Sequence, residues 1–288
     1  MAIRDFRGRT VLVTGAASGI GRETALAFAR LGADLVVCDL NARGLEETAQ
    51  AIAGMGRPVL ARQVDVASQT AMAELAAMVH REHEAVDVLV NNAGVGLGGG
   101  FLDTTLADWD WIVGINLRGV VHGCHFFLPP MVARGRGGHV VNVSSMAGYV
   151  ATAQLVAYSA TKFAVFGLSE GLRDELHPHG IGVTAVCPGV INTPITETSP
   201  MRGPHATPAA RTTIVALYRR RNYGPERVAA QIVRAVRRNR AVAPVSPEAW
   251  LFYFLKRLAP GLTARLHRAL AARLQRQVAR ASEDPSGA

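Results

Sequence analysis

Thr10-Val11-Leu12-Val13-Thr14 runs directly into Gly15-Ala16-Ala17-Ser18-Gly19-Ile20-Gly21, and a helical pattern then continues through Ala29. The β-branched run reads as a strand, and a strand that turns on glycines straight into a helix opens a parallel β-α-β crossover. The same alternation then repeats. Residues 34–38 and 59–64 read as strands, each followed by a helical pattern, over 42–55 and 69–84. Apolar runs at 86–90, 140–143, 181–186 and 241–245 add further strands, separated by helical stretches such as 106–133 and 225–238. Parallel strands joined by helices close into a sheet through right-handed crossovers. The expected fold class is therefore α/β, a doubly wound parallel sheet.

The glycine turn also carries chemistry. Gly15 permits the tight turn, Gly19 lets backbone approach a pyrophosphate, and Gly21 lets the helix pack on the strand. Free N–H groups near Ser18, Gly19 and Ile20 would face the phosphates. The second strand ends at Asp39, 18 residues after Gly21. An acidic residue there can accept both ribose hydroxyls of NAD and would repel a 2′-phosphate, which makes NADP the poorer fit. Asp65 and Val66 follow the third strand, where an adenine ring could rest; a turn or capping role for Asp65 fits the spacing equally well. Asn91-Asn92-Ala93-Gly94 ends the fourth strand with small and amide side chains that can bond across neighbouring strands.

Tyr158-Ser159-Ala160-Thr161-Lys162 places a tyrosine and a lysine one helical turn apart on one face. A lysine ammonium so close is expected to lower the tyrosine pKa. Such a tyrosine can pass a proton to or from a carbonyl or alcohol oxygen. Ser145 lies thirteen residues upstream, at the end of the strand 140–143. The strand 181–186 ends in Cys187-Pro188-Gly189-Val190-Ile191-Asn192-Thr193, whose backbone could face a nicotinamide carboxamide.

Taken together, Thr14–Gly21, Asp39, Asn91–Gly94, Asn116, Ser145, Tyr158, Lys162 and Pro188–Thr193 resemble the classical short-chain dehydrogenase/reductase family. The resemblance covers about residues 5–245. It implies one Rossmann-type domain of about seven strands. It implies Tyr158 as acid/base, Lys162 on the nicotinamide ribose, Ser145 on the substrate oxygen and Asn116 anchoring a water that relays protons to Lys162. It also implies that Asn92, Ala93 and Gly94 support the cofactor, that Asp65 and Val66 contact adenine, that Thr193 contacts the carboxamide, and that Pro188, Gly189 and Ile191 are further cofactor-binding positions. Family members are usually homodimers or homotetramers, and the helix over 106–133 is the interface the resemblance implies.

Composition bounds the rest. The chain has 288 residues, 49% hydrophobic, which is ample for one large core. Cys38, Cys124 and Cys187 sit far apart in apolar segments and read as buried thiols of a reducing compartment. Met1 to Arg9 is too charged and short for a signal peptide, and no apolar run nears the ~20 residues that span a bilayer. A cytoplasmic location is expected. His122 and His125 have i, i+3 spacing but too few companions for a metal site. Residues 194–224 are expected to form a lid, with 196–211, rich in proline, threonine and serine, as loop. The side chains near the site, Met146, Ala147, Gly148, Tyr149, Val150, Leu155 and Val190, are apolar or uncharged and suggest a hydrophobic secondary alcohol or ketone.

The net charge of +9 is uneven: residues 1–218 hold 16 Lys+Arg against 18 Asp+Glu, while residues 219–288 hold 15 against 4. The basic excess is thus a property of the C-terminal end and does not mark a nucleic-acid-binding domain. Beyond 1–245, residues 246–288 read as a helical extension. Trp250-Leu251-Phe252-Tyr253-Phe254-Leu255 is followed by Leu262, Leu266, Leu270, Leu274 and Val278 every four residues, with arginines on other faces. That is a basic amphipathic helix, suited to packing on the protein itself or a neighbouring subunit, or to peripheral contact with a membrane. The function that best fits these features is NAD-dependent oxidoreduction of an apolar alcohol or ketone. The alternatives are an NADPH-dependent ketoreductase of the 3-oxoacyl carrier-protein reductase type and a non-catalytic cofactor-binding protein at a membrane surface.

Overall fold

The computed structural model describes residues 2–203 and 206–283, with side chains described as far as Arg273. Seven strands form one parallel sheet: β1 (Thr10–Thr14), β2 (Asp34–Asp39), β3 (Val59–Gln63), β4 (Val88–Asn91), β5 (Gly138–Val143), β6 (Ile181–Pro188) and β7 (Val242–Val245). Their spatial order is β3-β2-β1-β4-β5-β6-β7. The order reverses between β1 and β4, and at such a switch point a crevice opens at the strands' carboxyl ends. Every strand faces helices on both sides, so its residues divide between two cores. In β1, Val11 and Val13 belong to one core with Phe28 and Ile232, and Leu12 belongs to the other with Phe127 and Met131. That is the period-2 alternation of a pleated strand buried on both faces.

The crossovers are α1 (Gly19–Arg30), α2 (Ala42–Ala53) and α3 (Gln69–Glu82), followed after β4 by α4 (Leu106–Val113) and α5 (Gly119–Arg134). The single helix expected over 106–133 is divided: residues Gly114–Arg118 form one π turn between α4 and α5. Such a turn widens the helix locally and re-aims side chains, and π turns recur at functional sites. Asn116 lies within it and is fully buried.

After β5, α6 (Val156–Leu176) carries Tyr158 and Lys162. The lid stretch is more ordered than its sequence suggested. It contains the short α7 (Ile195–Thr198) and the 14-residue α8 (Pro208–Arg221). The Thr207 hydroxyl caps α8 by accepting from Ala210 N–H, and Pro208 occupies the first helical position. Threonine and proline there start a helix rather than break one. Next, α9 (Pro225–Arg237) packs on α1, and the extension forms α10 (Pro247–Leu258) and α11 (Pro260–Glu283). The side chains of Leu274 and Val278 lie outside those described.

Cys38, Cys124 and Cys187 are all buried and free. Burial pushes the Cys38 and Cys124 thiols up to about 12, so both stay protonated. No described helix is long and apolar enough to cross a membrane.

Candidate active site

The site is built on the carboxyl ends of β1, β2, β4, β5 and β6. Gly15 leaves β1 with φ +67°, and a Cβ there would lie 2.7 Å from Ala93 Cα. Only glycine suits both the conformation and the space. A Cβ on Gly21 would overlap the Gly15 carbonyl oxygen, so the start of α1 sits directly on the turn. Asn92 Nδ2 donates to Thr14 O at 2.9 Å and Gly15 O at 3.1 Å, and the backbone N–H groups of Asn92 and Ala93 each donate to Thr14 Oγ1 at 3.0 Å. Thr14 thereby clamps β4 to the glycine turn. Ser18 caps α1 with no side-chain hydrogen bond, which leaves the first-turn N–H groups without a side-chain acceptor.

Asp39 closes β2 beside this turn. Its Oδ2 accepts from Ala17 N–H at 2.9 Å and its Oδ1 from Asn41 N–H at 2.8 Å. A half-buried carboxylate is thus fixed against the glycine loop. Arg22 and Arg43 both pair with Glu47, at 3.5 and 3.4 Å. Asp65 is exposed, and its Oδ1 accepts from Ala67 N–H at 2.9 Å, the turn role that its spacing also allowed. The Val66 side chain is buried in the core, and its carbonyl lies 2.9 Å from His122 Nδ1. Any adenine contact at Val66 therefore falls to its backbone.

Ser145, Tyr158, Lys162 and Asn116 converge. Ser144 Oγ donates to Lys162 O at 2.8 Å, which ties the end of β5 to α6. Ser145 Oγ accepts from Ala147 N–H at 3.1 Å, and its hydroxyl bonds the Tyr158 phenol. Lys162 is buried with its Nζ donating to Val143 O at 3.0 Å, and it lies 5.7 Å from the centre of the Tyr158 ring. Asn116 Oδ1 accepts from Val95 N–H at 2.8 Å, and its Nδ2 donates to Val95 O and Thr161 Oγ1. A Cβ on Gly94 would lie 3.2 Å from Asn116 Oδ1 and 3.4 Å from Lys162 Nζ, so both head groups meet over that glycine.

The expected depression of the Tyr158 pKa is not what the structure gives. Burial pushes the phenol up to about 12; the Ser145 hydroxyl pulls it partly back, and the Tyr218 phenol raises it further. Lys162 does not offset this, because burial lowers its own pKa to about 8 and its ammonium is engaged by Val143 O. Desolvation disfavours whichever form carries charge, and here it acts on both partners.

The remaining expected residues follow β6. Gly189 N–H donates to Val245 O, and Val190 N–H donates to Glu248 Oε1 at 3.1 Å. Pro188 ends β6, Ile191 is buried in the core, and a Cβ on Gly19 would lie 3.5 Å from Thr193 Cβ. The turn after β6 thus reaches back to the glycine loop. Of the apolar side chains expected around the substrate, Tyr149 and Val150 pack inward against Cys187 and Phe252 and support the wall from behind.

Four contributors were not legible. Trp109 and Val95 pack with Tyr158, Leu97 and Ile112. Tyr218 comes from the lid helix, and Glu248 from the extension. These four have no fixed spacing to the glycine turn or to Tyr158. Only the aromatic character of Trp109 and Tyr218 hinted at a wall.

The chain matches the short chain dehydrogenase family over residues 9–202. It is 43% identical over 271 residues to the oxidoreductase EphD of Mycobacterium tuberculosis, covering 91% of this chain but only 46% of EphD. The chain therefore spans about half the length of that relative. It is 36% identical to the C alpha-dehydrogenase of a Sphingobium strain, over 82% of this chain and 80% of that protein. A solved short chain dehydrogenase/reductase from Burkholderia phymatum in complex with NAD superposes with a TM-score of 0.83 at 29% identity, over 90% of this chain and 96% of that one.

Proposed function

The chain belongs to the short-chain dehydrogenase/reductase family of oxidoreductases, and on that premise we propose that it moves hydride between NAD(H) and an apolar secondary alcohol or ketone. The observation that carries this reading is the convergence of Ser145, Tyr158, Lys162 and Asn116 beside a glycine cradle that a single Cβ would fill. That cradle, the uncapped start of α1 and the Asp39 carboxylate fit a nicotinamide dinucleotide. When bound, the nicotinamide supplies or takes the hydride.

The chain's own residues handle the proton and the oxygen. Tyr158 gives its phenolic proton to a carbonyl oxygen in reduction and recovers one from a hydroxyl in oxidation. Ser145 donates to the same oxygen and holds it against Tyr158. Lys162, anchored by Val143 O, orients the ribose. The Asn116 amide is spent on Val95 and Thr161, so the water-anchoring role falls to its backbone in the π turn.

Asp39 favours NAD, because a 2′-phosphate beside it would set like charges together while Arg22 and Arg43 are held by Glu47. The half-buried Val95 and Trp109, packed with Tyr158 on the Leu97–Ile112 core, favour an apolar substrate. The test is an absorbance assay with NAD(H) and NADP(H) against a panel of apolar alcohols and ketones. Turnover is expected with NAD(H) and a clear preference over NADP(H). Tyr158→Phe should lower it by ~10²–10⁴-fold while cofactor binding survives. Equal use of both cofactors would overturn the cofactor assignment, and a near-normal rate for Tyr158→Phe would overturn the acid/base assignment.

A further inference from the structure

The part of the leucine stripe whose side chains are described does not bury against the protein's own body. α11 docks through another face: Thr263 is buried, His267 Nε2 lies 3.4 Å from Thr152 Oγ1, and the helix lies along the lid helix α8. Leu262, Leu266 and Leu270, each one turn from the next, are left exposed beside that docked face. α10 repeats the arrangement. Phe252 is buried, whereas Leu251, Phe254 and Leu258 face outward, the last 81% exposed.

A second apolar ridge lies between β4 and the first turn of α4. Phe101, Leu102 and Leu106 are exposed, Leu102 by 96%. Gly99, two residues before this ridge, donates its N–H to Gln154 O at 2.8 Å. The segment 152–154 therefore carries α11 at one end, through Thr152 and His267, and leads to the Phe101–Leu102 ridge at the other. Tyr158 lies four residues beyond it, in α6.

The charge along the extension is strongly positive, with its acidic residues, Glu248, Glu283 and Asp284, confined to its two ends. Residues 249–282 contain seven Lys and Arg and no Asp or Glu. Arg265, Arg268 and Arg273 are exposed on faces of α11 next to the leucines. A second copy of this chain on the same surface would bring like-charged extensions together. An anionic surface would neutralise them while receiving the leucines. We propose that α10, α11 and the Phe101–Leu106 ridge form a docking surface for an anionic lipid bilayer, with the helices lying in its interfacial layer and the entrance to the Tyr158 crevice turned toward it. Docking itself is independent of the redox assignment, since it requires neither cofactor nor turnover; delivery of an apolar substrate from the bilayer rests on that assignment.

Vesicle flotation of the full chain tests the surface. Binding is expected to vesicles rich in phosphatidylglycerol, not to pure phosphatidylcholine vesicles, and is expected to fall steeply as salt is raised. Each arginine near such a surface strengthens partitioning about five-fold, so Arg265→Gln/Arg268→Gln/Arg273→Gln should weaken it about a hundred-fold. Leu258→Glu/Leu262→Glu should also abolish flotation. Both variants should keep the wild-type melting temperature and solution mass. Failure of the wild type to float with anionic vesicles at low salt overturns the proposal. So does binding indifferent to lipid charge, or a change of solution mass in the leucine variant, which would make this face an interface between copies. Turnover of a water-soluble substrate, measured on the same samples, reports separately on the redox assignment.

Discussion

Lys162 is buried with its ammonium bonded to Val143 O, and burial lowers its pKa to about 8. Its folded-state value thus lies below its unfolded value of 10.5. Between these values the unfolded chain binds the extra proton, so this group makes the fold more stable as pH rises through that window and costs stability below it. The buried cysteines act in the opposite sense, because their thiols are pushed up from 9.0. The lysine contribution therefore has to be read as a difference. Lys162→Met should be stabilised relative to wild type at pH 7.5, and that advantage should shrink by about 2 kcal/mol by pH 9.5. Urea unfolding of both proteins at the two pH values measures it, and a difference independent of pH would contradict the assigned desolvation. Tyr158, at about 12, is a phenol at neutral pH. Its proton is in place for carbonyl reduction, whereas alcohol oxidation needs the phenolate and should accelerate as pH rises.

At the scale of elements, the first turn of α10 joins three parts of the site. Glu248 Oε1 accepts from Val190 N–H in the turn after β6, and its Oε2 accepts from Arg221 at the end of the lid helix, at 2.5 Å. One residue on, Ala249 O accepts from the Tyr149 hydroxyl at 2.7 Å. Burial alone would raise the Glu248 pKa, but its hydrogen bonds, among them those from Arg221 and Val190 N–H, hold it below the ordinary value. The stabilisation is therefore present at neutral pH and lost on acidification. Glu248→Ala should cost about 1–3 kcal/mol of stability and raise KM for the cofactor. Glu248→Gln, which keeps an acceptor for Val190, should lose less. An Ala variant matching wild type in both urea midpoint and KM would dismiss this role. Glu248 also illustrates what the sequence conveyed. The glycine turn, Asp39, Ser145 and the Tyr158–Lys162 pair are legible because each depends on strand ends and helical spacing within one short stretch. Glu248 meets Val190 across 58 residues, and no local pattern encodes that meeting. The helix α8 was missed for a different reason, since its Thr207-Pro208 start has the composition of a loop. The π turn at Asn116 interrupts an otherwise continuous helical pattern, because its extra residue changes backbone bonding and not side-chain polarity.

For the whole molecule, the near-neutral body and the basic extension expose different surfaces. On the body, Val121 of α5 and Phe163 of α6 are exposed apolar side chains, 42% and 39% accessible. Near Phe163 on α6, Gly167 and Gly171 have open space where a Cβ would stand, so the helix surface there is flat and allows close approach of another backbone. Exposed apolar side chains beside a smooth helical face suit a self-complementary contact, in which the same helices of two copies pack across a two-fold axis. Such a contact would stiffen α6 and with it the Tyr158–Lys162 turn, which lies on the same helix. The homo-oligomer implied by the family is therefore expected to form through α5 and α6, leaving the α10–α11 surface outside it. Light scattering should give a multiple of 30.6 kDa for the wild type. Val121→Glu/Phe163→Glu should shift that mass toward the monomer and lower turnover along with it, because α6 loses its support. A wild type that scatters as a monomer would show that α5 and α6 form no such interface. An oligomer that survives both glutamates would relocate the contact to another face.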